Sequence, residues 1–173
     1  MQWSKLRKRI EERICDSLKG RVEIHSTRYR GTHDDEGRGW ITIDKKDVFS
    51  ACTMKWMVEY HSIDNQIKKI NEGLDPEDTE SNLYFFPENQ AHSILKKQGI
   101  YSQYEFYDAI ETSLNMPVDK ALKSDNALIR AFAIIDKRVG KRRLPKLGAE
   151  LGEDALVNTL YRLRCETEGI ERV

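Results

Sequence analysis

The spacing of apolar side chains changes twice in the N-terminal part of the chain, and this change restricts the fold more than any other feature. Apolar residues recur at steps of three and four from Trp3 to Leu18, which predicts a helix over residues 2–19. Residues 21–30 alternate between apolar and polar instead, which is typical of a half-buried strand. Helical spacing returns at about Thr53. The sequence therefore predicts strands confined to a region between helices.

Two more short strands are predicted after the first one. The segments 40–44 and 48–52 flank a turn centred on residues 45–46, which completes a three-stranded antiparallel meander. With Asp44 opposite Asp47, one face of this hairpin would hold three aliphatic residues, Ile41, Ile43 and Val48. The turn contains no Asn-Gly signal, so the sequence leaves the register open.

The remaining two thirds of the sequence is predicted to be helical. Ser102 and Glu105 have the spacing of a capping box at the start of one of these helices. The predicted helices run from Thr53 to Gly73, from Pro87 to Gly99, from Ser102 to Leu114, over 125–139 and over 153–166, with a short turn after Pro117. The expected fold is one α+β domain over residues 1–173, in which helices flank a small N-terminal antiparallel sheet of about three strands and the C-terminal two-thirds is mainly helical.

Hydropathy and cysteine spacing restrict the class of protein. No stretch approaches the roughly 18 consecutive apolar residues of a membrane helix, and no apolar core with a cleavage site follows the basic N-terminus. Cys15, Cys52 and Cys165 lie far apart, which favours reduced thiols over a disulfide framework or a zinc site. The sequence therefore predicts a cytoplasmic protein that does not associate with a membrane.

The charged residues balance overall but are unevenly distributed. The chain has 29 basic and 29 acidic residues. Residues 1–30 hold nine Lys or Arg against four acids, residues 72–88 hold six acids and no base, and residues 137–146 hold six bases and no acid. A net charge of zero argues against a general nucleic-acid coat, whereas the segregated segments suit a local charged partner.

The basic run at 137–146 is the most distinctive local feature. Its candidate anion- or partner-binding residues are Arg138, Lys141, Arg142, Arg143 and Lys146. Guanidinium and ammonium groups in such a run can bind carboxylates or phosphates. Lys137 and Arg138 could instead end the preceding helix, where cations favour the dipole, with the rest a solvated loop. Asp136 is expected to pair with another element, either Arg142 or the first helix, because it lies too close to Arg138 to face it on a helix.

No catalytic or metal-binding motif is present in the sequence. The loop over 31–39 contains His33, Asp34, Asp35 and Glu36, but neighbouring residues point in different directions, so a polar hairpin loop is expected. The histidines match no metalloprotease or nucleophile motif, and no glycine-rich phosphate loop occurs. We therefore predict no catalytic residue, no metal and no cofactor. The tryptophans Trp3, Trp40 and Trp56 are expected in the core.

Two stretches of the sequence resemble a known family. They are WSKLRKRIEERICDSLKGRVEIHSTRYR at the N-terminus and ALIRAFAIIDKRVGKRRL over 127–144. Together they resemble a family of small uncharacterised bacterial proteins of about this length. The resemblance implies a bacterial, cytosolic, stand-alone domain and carries no activity, cofactor or catalytic residue.

Three functional hypotheses follow from these features. The first is a non-enzymatic module that binds another protein through its acidic and basic segments. The second is a nucleic-acid-binding protein that uses Lys5, Arg9 and Arg13 together with 137–146. The third is an enzyme with a site near His25, Tyr29 and the 31–39 loop. The neutral net charge and the absence of a catalytic motif favour the first.

Overall fold

A computed structural model describes residues 2–31, 36–70 and 90–171 of the chain. Its helices are α1 (Trp3–Glu11), α2 (Thr53–Ile70), α3 (Gln90–Lys97), α4 (Gln103–Asn115), α5 (Val118–Leu122), α6 (Ala127–Ile135), α7 (Leu144–Leu147) and α8 (Ala155–Glu168), and its strands are β1 (Val22–Arg28), β2 (Gly37–Ile43) and β3 (Lys46–Cys52). Three short 3-10 turns cover Asp16–Leu18, Lys141–Arg143 and Gly148–Glu150. The α+β architecture predicted from the sequence is confirmed. The predicted acidic segment 72–88 lies outside the described residues.

The three strands form an antiparallel sheet in the order β1-β2-β3. Alternation places Val22 and Ile24 of β1 on the face that packs against the helices, where both are buried. Ile24 pairs with Ile41 of β2, which pairs in turn with Phe49 of β3, so this row crosses the sheet. The face toward the helices therefore belongs to the main core.

The β2–β3 hairpin differs in register from the sequence prediction. Its turn lies at Asp44 and Lys45, whose φ angles are 48° and 66°, one residue before the predicted position. Positive φ at both central residues is the geometry of a two-residue hairpin turn, whose twist matches that of the strands. The register of the β2–β3 pair shifts between Ile41 and Thr42, and Val48 is exposed. The expectation that Val48 shares the apolar face is therefore wrong.

Helix α1 is shorter than predicted because backbone pairing interrupts it. It ends at Glu11, and Ile14 then forms an isolated antiparallel bridge with Asp136. The N–H of Cys15 donates to the carbonyl of Ile135 at 2.8 Å, instead of bonding back along the helix. The apolar stripe is still buried through Ile14 and Leu18, because the segment after the helix follows the same core surface.

Helix α6 also ends earlier than predicted, at Ile135. The buried guanidinium of Arg164 on α8 donates to the carbonyl of Asp136 at 3.0 Å and also to those of Ile134 and Val139. These side-chain bonds satisfy carbonyls that a longer helix would have paired internally. Lys137 and Arg138 consequently do not lie in the last turn of a helix, which corrects that alternative reading of the basic run.

The core is built mainly from α4, α6 and α8, and α4 packs against β2 and β3 of the sheet. Phe106 of α4 packs edge-on against Phe132 of α6, with ring centroids 5.7 Å apart, and its ring also covers Gly39 of β2. A second cluster joins α2 and α3 through four buried residues, Trp56, Tyr60, Ala91 and Leu95. Trp56 is thus buried as predicted, and Trp3 packs partly buried against the main core.

Side chains cap the starts of α4 and α8, and the cap of α4 is the predicted one. Ser102 and Glu105 form the complete capping box, since each side chain accepts from the other residue's backbone N–H. Asp154 caps α8 by accepting from the N–H of Val157 at 3.0 Å. None of the described helices has the length and apolar character needed to span a membrane.

Candidate anion-binding groove

A surface groove of about 630 Å³ opens between α5 and the segment that runs from the 3-10 turn at Lys141–Arg143 to Glu150. We call it the basic groove. Its lining residues are Asp119, Lys120, Lys123, Arg143, Lys146, Leu147 and Glu150. Four of them are cations and two are carboxylates, so the lining carries a local excess of positive charge.

Short helices present these cations because their apolar residues are anchored in the core. In α5, Ala121 and Leu122 are buried, which leaves Lys120 and Lys123 exposed at the surface. The spacing of three places these two lysines on neighbouring turns of the same face. Leu144 and Leu147 anchor the opposite wall in the same way and direct the basic side chains between and beside them outward.

One ion pair crosses the groove, and the other cations have no ion-pair partner among the residues that the structure describes. A terminal nitrogen of the Arg143 guanidinium donates to the Asp119 carboxylate, with 41% and 68% of the two side chains exposed. Within the described ranges, no carboxylate lies at ion-pairing distance from Lys120, Lys123 or Lys146. Unpaired ammonium groups at a concave surface are ready to bind a carboxylate or a phosphate.

Arg138, a predicted binding residue, has a structural role instead. Its guanidinium pairs with Asp136 at 2.7 Å and donates to the carbonyls of Ser113 and Met116 at 3.0 and 3.1 Å. It thereby satisfies the C-terminal end of α4, where orphan carbonyls carry partial negative charge. The expectation that Asp136 pairs with Arg142 or the first helix is wrong for its side chain, because α6 has already ended and the chain folds Arg138 back onto it.

The other predicted residues divide between the groove and the open surface. Arg143 and Lys146 line the groove, whereas Lys141 and Arg142 are exposed beside it. The sequence prediction missed Lys120 and Lys123. Their spacing of three was visible in the sequence, but the packing of α5 against residues 143–150 was not.

A family model matches residues 2–165. The chain belongs to the SF0329 protein family. The matched range includes the whole sheet and every groove residue, and it confirms the resemblance to an uncharacterised family noted from the sequence. No curated protein and no solved structure matches the chain.

In this SF0329 family member, the basic N-terminal segment (residues 1–30) lies beside the basic run at 137–146. Arg9 donates to the side-chain oxygen of Asn115 at the end of α4, at 2.8 Å. The N–H of Lys137 donates to the carbonyl of Arg13, also at 2.8 Å. The two basic segments of the sequence therefore meet in the fold.

The predicted site around His25 lies on the sheet face that points away from α4. The His25 ring stacks on Trp40 with centroids 5.1 Å apart, and its Nε2 lies 3.3 Å from Oγ1 of Thr42. The Arg38 guanidinium also lies over the Trp40 ring, 4.9 Å from its centre. Trp40 is half-buried on this face, so its expected place in the core is wrong.

Tyr29, the other predicted residue of this site, lies close to Cys52 of β3. Its hydroxyl is 3.8 Å from Sγ of Cys52, and partial burial, followed by the Cys52 contact, raises the pKa of the phenol. His33, Asp34 and Asp35 lie outside the described residues. In the ranges that the structure covers, no group of three or more His, Cys, Asp or Glu residues could hold a metal ion. The three cysteines are free thiols, as predicted, with Cys15 and Cys165 buried.

Proposed function

We propose that the protein is a non-enzymatic interaction module of the bacterial cytoplasm that binds an acidic segment of a partner protein in the basic groove. One observation carries this proposal: the fold brings the cations of two separate chain segments, α5 and 143–146, to the same concave surface. Charge complementarity of this kind steers association and sets its orientation.

The pairing state of the groove cations supports a binding role over a structural one. Arg138 is used within the fold, as are Arg164 and Arg21, whose guanidinium groups each bind described acceptors. Lys120, Lys123 and Lys146 have no such acceptor in the described part of the chain. Cations that bind no acceptor in the described ranges are available to bind a partner.

The groove geometry also suits a protein segment in size. A volume of about 630 Å³ holds several side chains but not a folded domain, so the partner would insert a loop, terminus or helix edge. The lysine stems and Leu147 offer apolar contact beneath the charged ends.

Charge reversal in the groove tests the proposal. Tagged wild-type protein, the triple variant K120E/K123E/K146E and the matched control K46E/K55E/K97E are used to capture partners, which are identified by mass spectrometry. The control makes the same charge change at three exposed lysines outside the groove. A specific partner is retained by wild type and control and lost with the groove variant.

The purified pair is then measured by calorimetry. We expect at least about a tenfold loss of affinity for the groove variant and a clear dependence on salt, because the bonds formed are between exposed charges. Equal binding of the partner by all three proteins would contradict the proposal.

A second candidate function is nucleic-acid binding by the adjoining basic segments. The hydrogen bond between Lys137 and Arg13 favours it, because it brings basic residues from both segments to one place. The balanced total charge argues against it. Substituting Arg13 and Lys137 by glutamine would weaken DNA or RNA binding and reduce its salt dependence if this surface is used.

A further inference from the structure

We infer that Asp119 and Glu150 are specificity-determining residues that make the basic groove exclude a nucleic-acid backbone while admitting a protein segment. This inference rests on the proposed function, because it concerns the same groove. It assigns a role to the two carboxylates that lie among the four cations of the groove.

Asp119 pairs with the Arg143 guanidinium, which is the group in the groove best suited to bind phosphate. A guanidinium can donate two parallel hydrogen bonds to one phosphate, which a lysine cannot. Arg143 donates to Asp119 across the groove. A phosphate that took the place of Asp119 would leave that carboxylate beside it, so two like charges would face each other.

Glu150 is the second carboxylate of the lining. It is exposed, and no described cation pairs with it. A nucleic-acid strand carries a charge on every nucleotide, so it cannot leave out the phosphate that passes Glu150. A peptide can place a neutral or basic residue there and its acids opposite the lysines. The pattern of charges therefore distinguishes two polymers that the lysines alone would bind alike.

Removing the two carboxylates tests this role directly. The full-length chain, its variant D119N/E150Q and the control D44N/D47N are titrated against a short labelled single-stranded DNA at low salt, with fluorescence anisotropy as the readout. The control removes two exposed carboxylates from the β2–β3 hairpin, each of them paired with an arginine as Asp119 is. Both variants gain the same positive charge, so a general effect of net charge cancels.

We expect D119N/E150Q to bind the DNA about tenfold more tightly than the control, because each lost repulsion at close range is worth a few-fold in affinity. Affinities within about twofold of each other, including no detectable binding by either variant, would overturn the inference. E150Q alone serves as a second variant, since it breaks no ion pair between described residues, and we expect about a threefold gain from it.

The outcome is independent of the partner-capture experiment. Tight DNA binding by the wild-type chain that is lost with K120E/K123E/K146E would contradict both the protein-partner proposal and the exclusion of nucleic acid from the groove. Equal partner binding by the wild type and K120E/K123E/K146E would contradict the protein-partner proposal alone. The ratio between D119N/E150Q and its control would still decide the role of the two carboxylates.

Discussion

The backbone N–H of Lys137 donates to the carbonyl oxygen of Arg13 at 2.8 Å. Together with the bond from Cys15 to Ile135, it forms a small antiparallel bridge between chain segments that are far apart in sequence. Each of these donors would have bonded four residues back if its helix had continued. The bridge therefore explains both why α1 and α6 end where they do and why the two basic segments meet.

Arg164 is expected to be essential for stability. Only 2% of its side chain is exposed, and it donates to three backbone carbonyls and to Glu168. Arg164→Met should lower the free energy of unfolding by about 3–5 kcal/mol, because buried acceptors and a buried carboxylate lose their donor. Urea denaturation measures this change. Arg162→Met, an exposed position on the same helix, is the control, and equal losses in the two variants would contradict the role of Arg164.

Gly39 is required because a helix packs directly on its Cα. A Cβ at this position would lie 2.3 Å from a ring carbon of Phe106. Gly39→Ala should destabilise the fold by about 1–3 kcal/mol through overpacking. At Gly140 a Cβ meets nothing within 4 Å, so Gly140→Ala should be neutral or slightly stabilising. Thermal denaturation of the pair checks the difference, and a stable Gly39→Ala variant would show that α4 can move away from the sheet.

The capping box at α4 makes a smaller contribution. The side chain of Ser102 accepts from the N–H of Glu105 at 3.2 Å, and the Glu105 carboxylate accepts from the N–H of Ser102 at 2.8 Å. Ser102→Ala should reduce the free energy of unfolding by about 1 kcal/mol. Ser4→Ala, at an exposed position in α1, should leave it unchanged. A loss of the same size at both positions in chemical denaturation would argue against the cap.

His92 should make stability depend on pH. Its ring packs edge-on against Trp56 and Tyr60. Burial lowers the pKa of His92 from 6.5, Glu105 partly offsets this by raising it, and Lys96 lowers it slightly further. The unfolded chain thus binds a proton at a higher pH than the folded chain does. The contribution of neutral His92 to the stability of the fold is therefore complete above about pH 6.5. It is lost as the pH falls from there through the pKa of His92 in the folded chain.

The measurement is urea denaturation at about pH 7.5 and at about pH 5.5. We expect the wild-type chain to lose more stability between these two pH values than His92→Gln does, since glutamine does not titrate. His61→Gln, at an exposed position of α2, serves as the control and should behave as wild type. An identical pH dependence in wild type and His92→Gln would contradict the assignment.

Local signals in the sequence predicted most of the secondary structure. Alternation identified the strands, and the Ser102–Glu105 spacing identified a helix start, because both depend on residues close together in the chain. The predictions failed where a distant group competes for the backbone, as Arg164 does at the end of α6. The hairpin turn was misplaced by one residue because Asp44 and Lys45 adopt positive φ without a glycine to indicate it.

The candidate site shows the same division. Composition and the basic run at 137–146 determined that the chain has a concentrated positive surface, since charge is a property of the residues themselves. Only the tertiary structure decided which cations are available. Arg138 donates to a carbonyl at the end of α4, whereas Lys120 and Lys123 line the same groove as Arg143 and Lys146. Pairing and exposure depend on which side chains meet in space, and contacts between distant segments leave no local pattern in a single sequence.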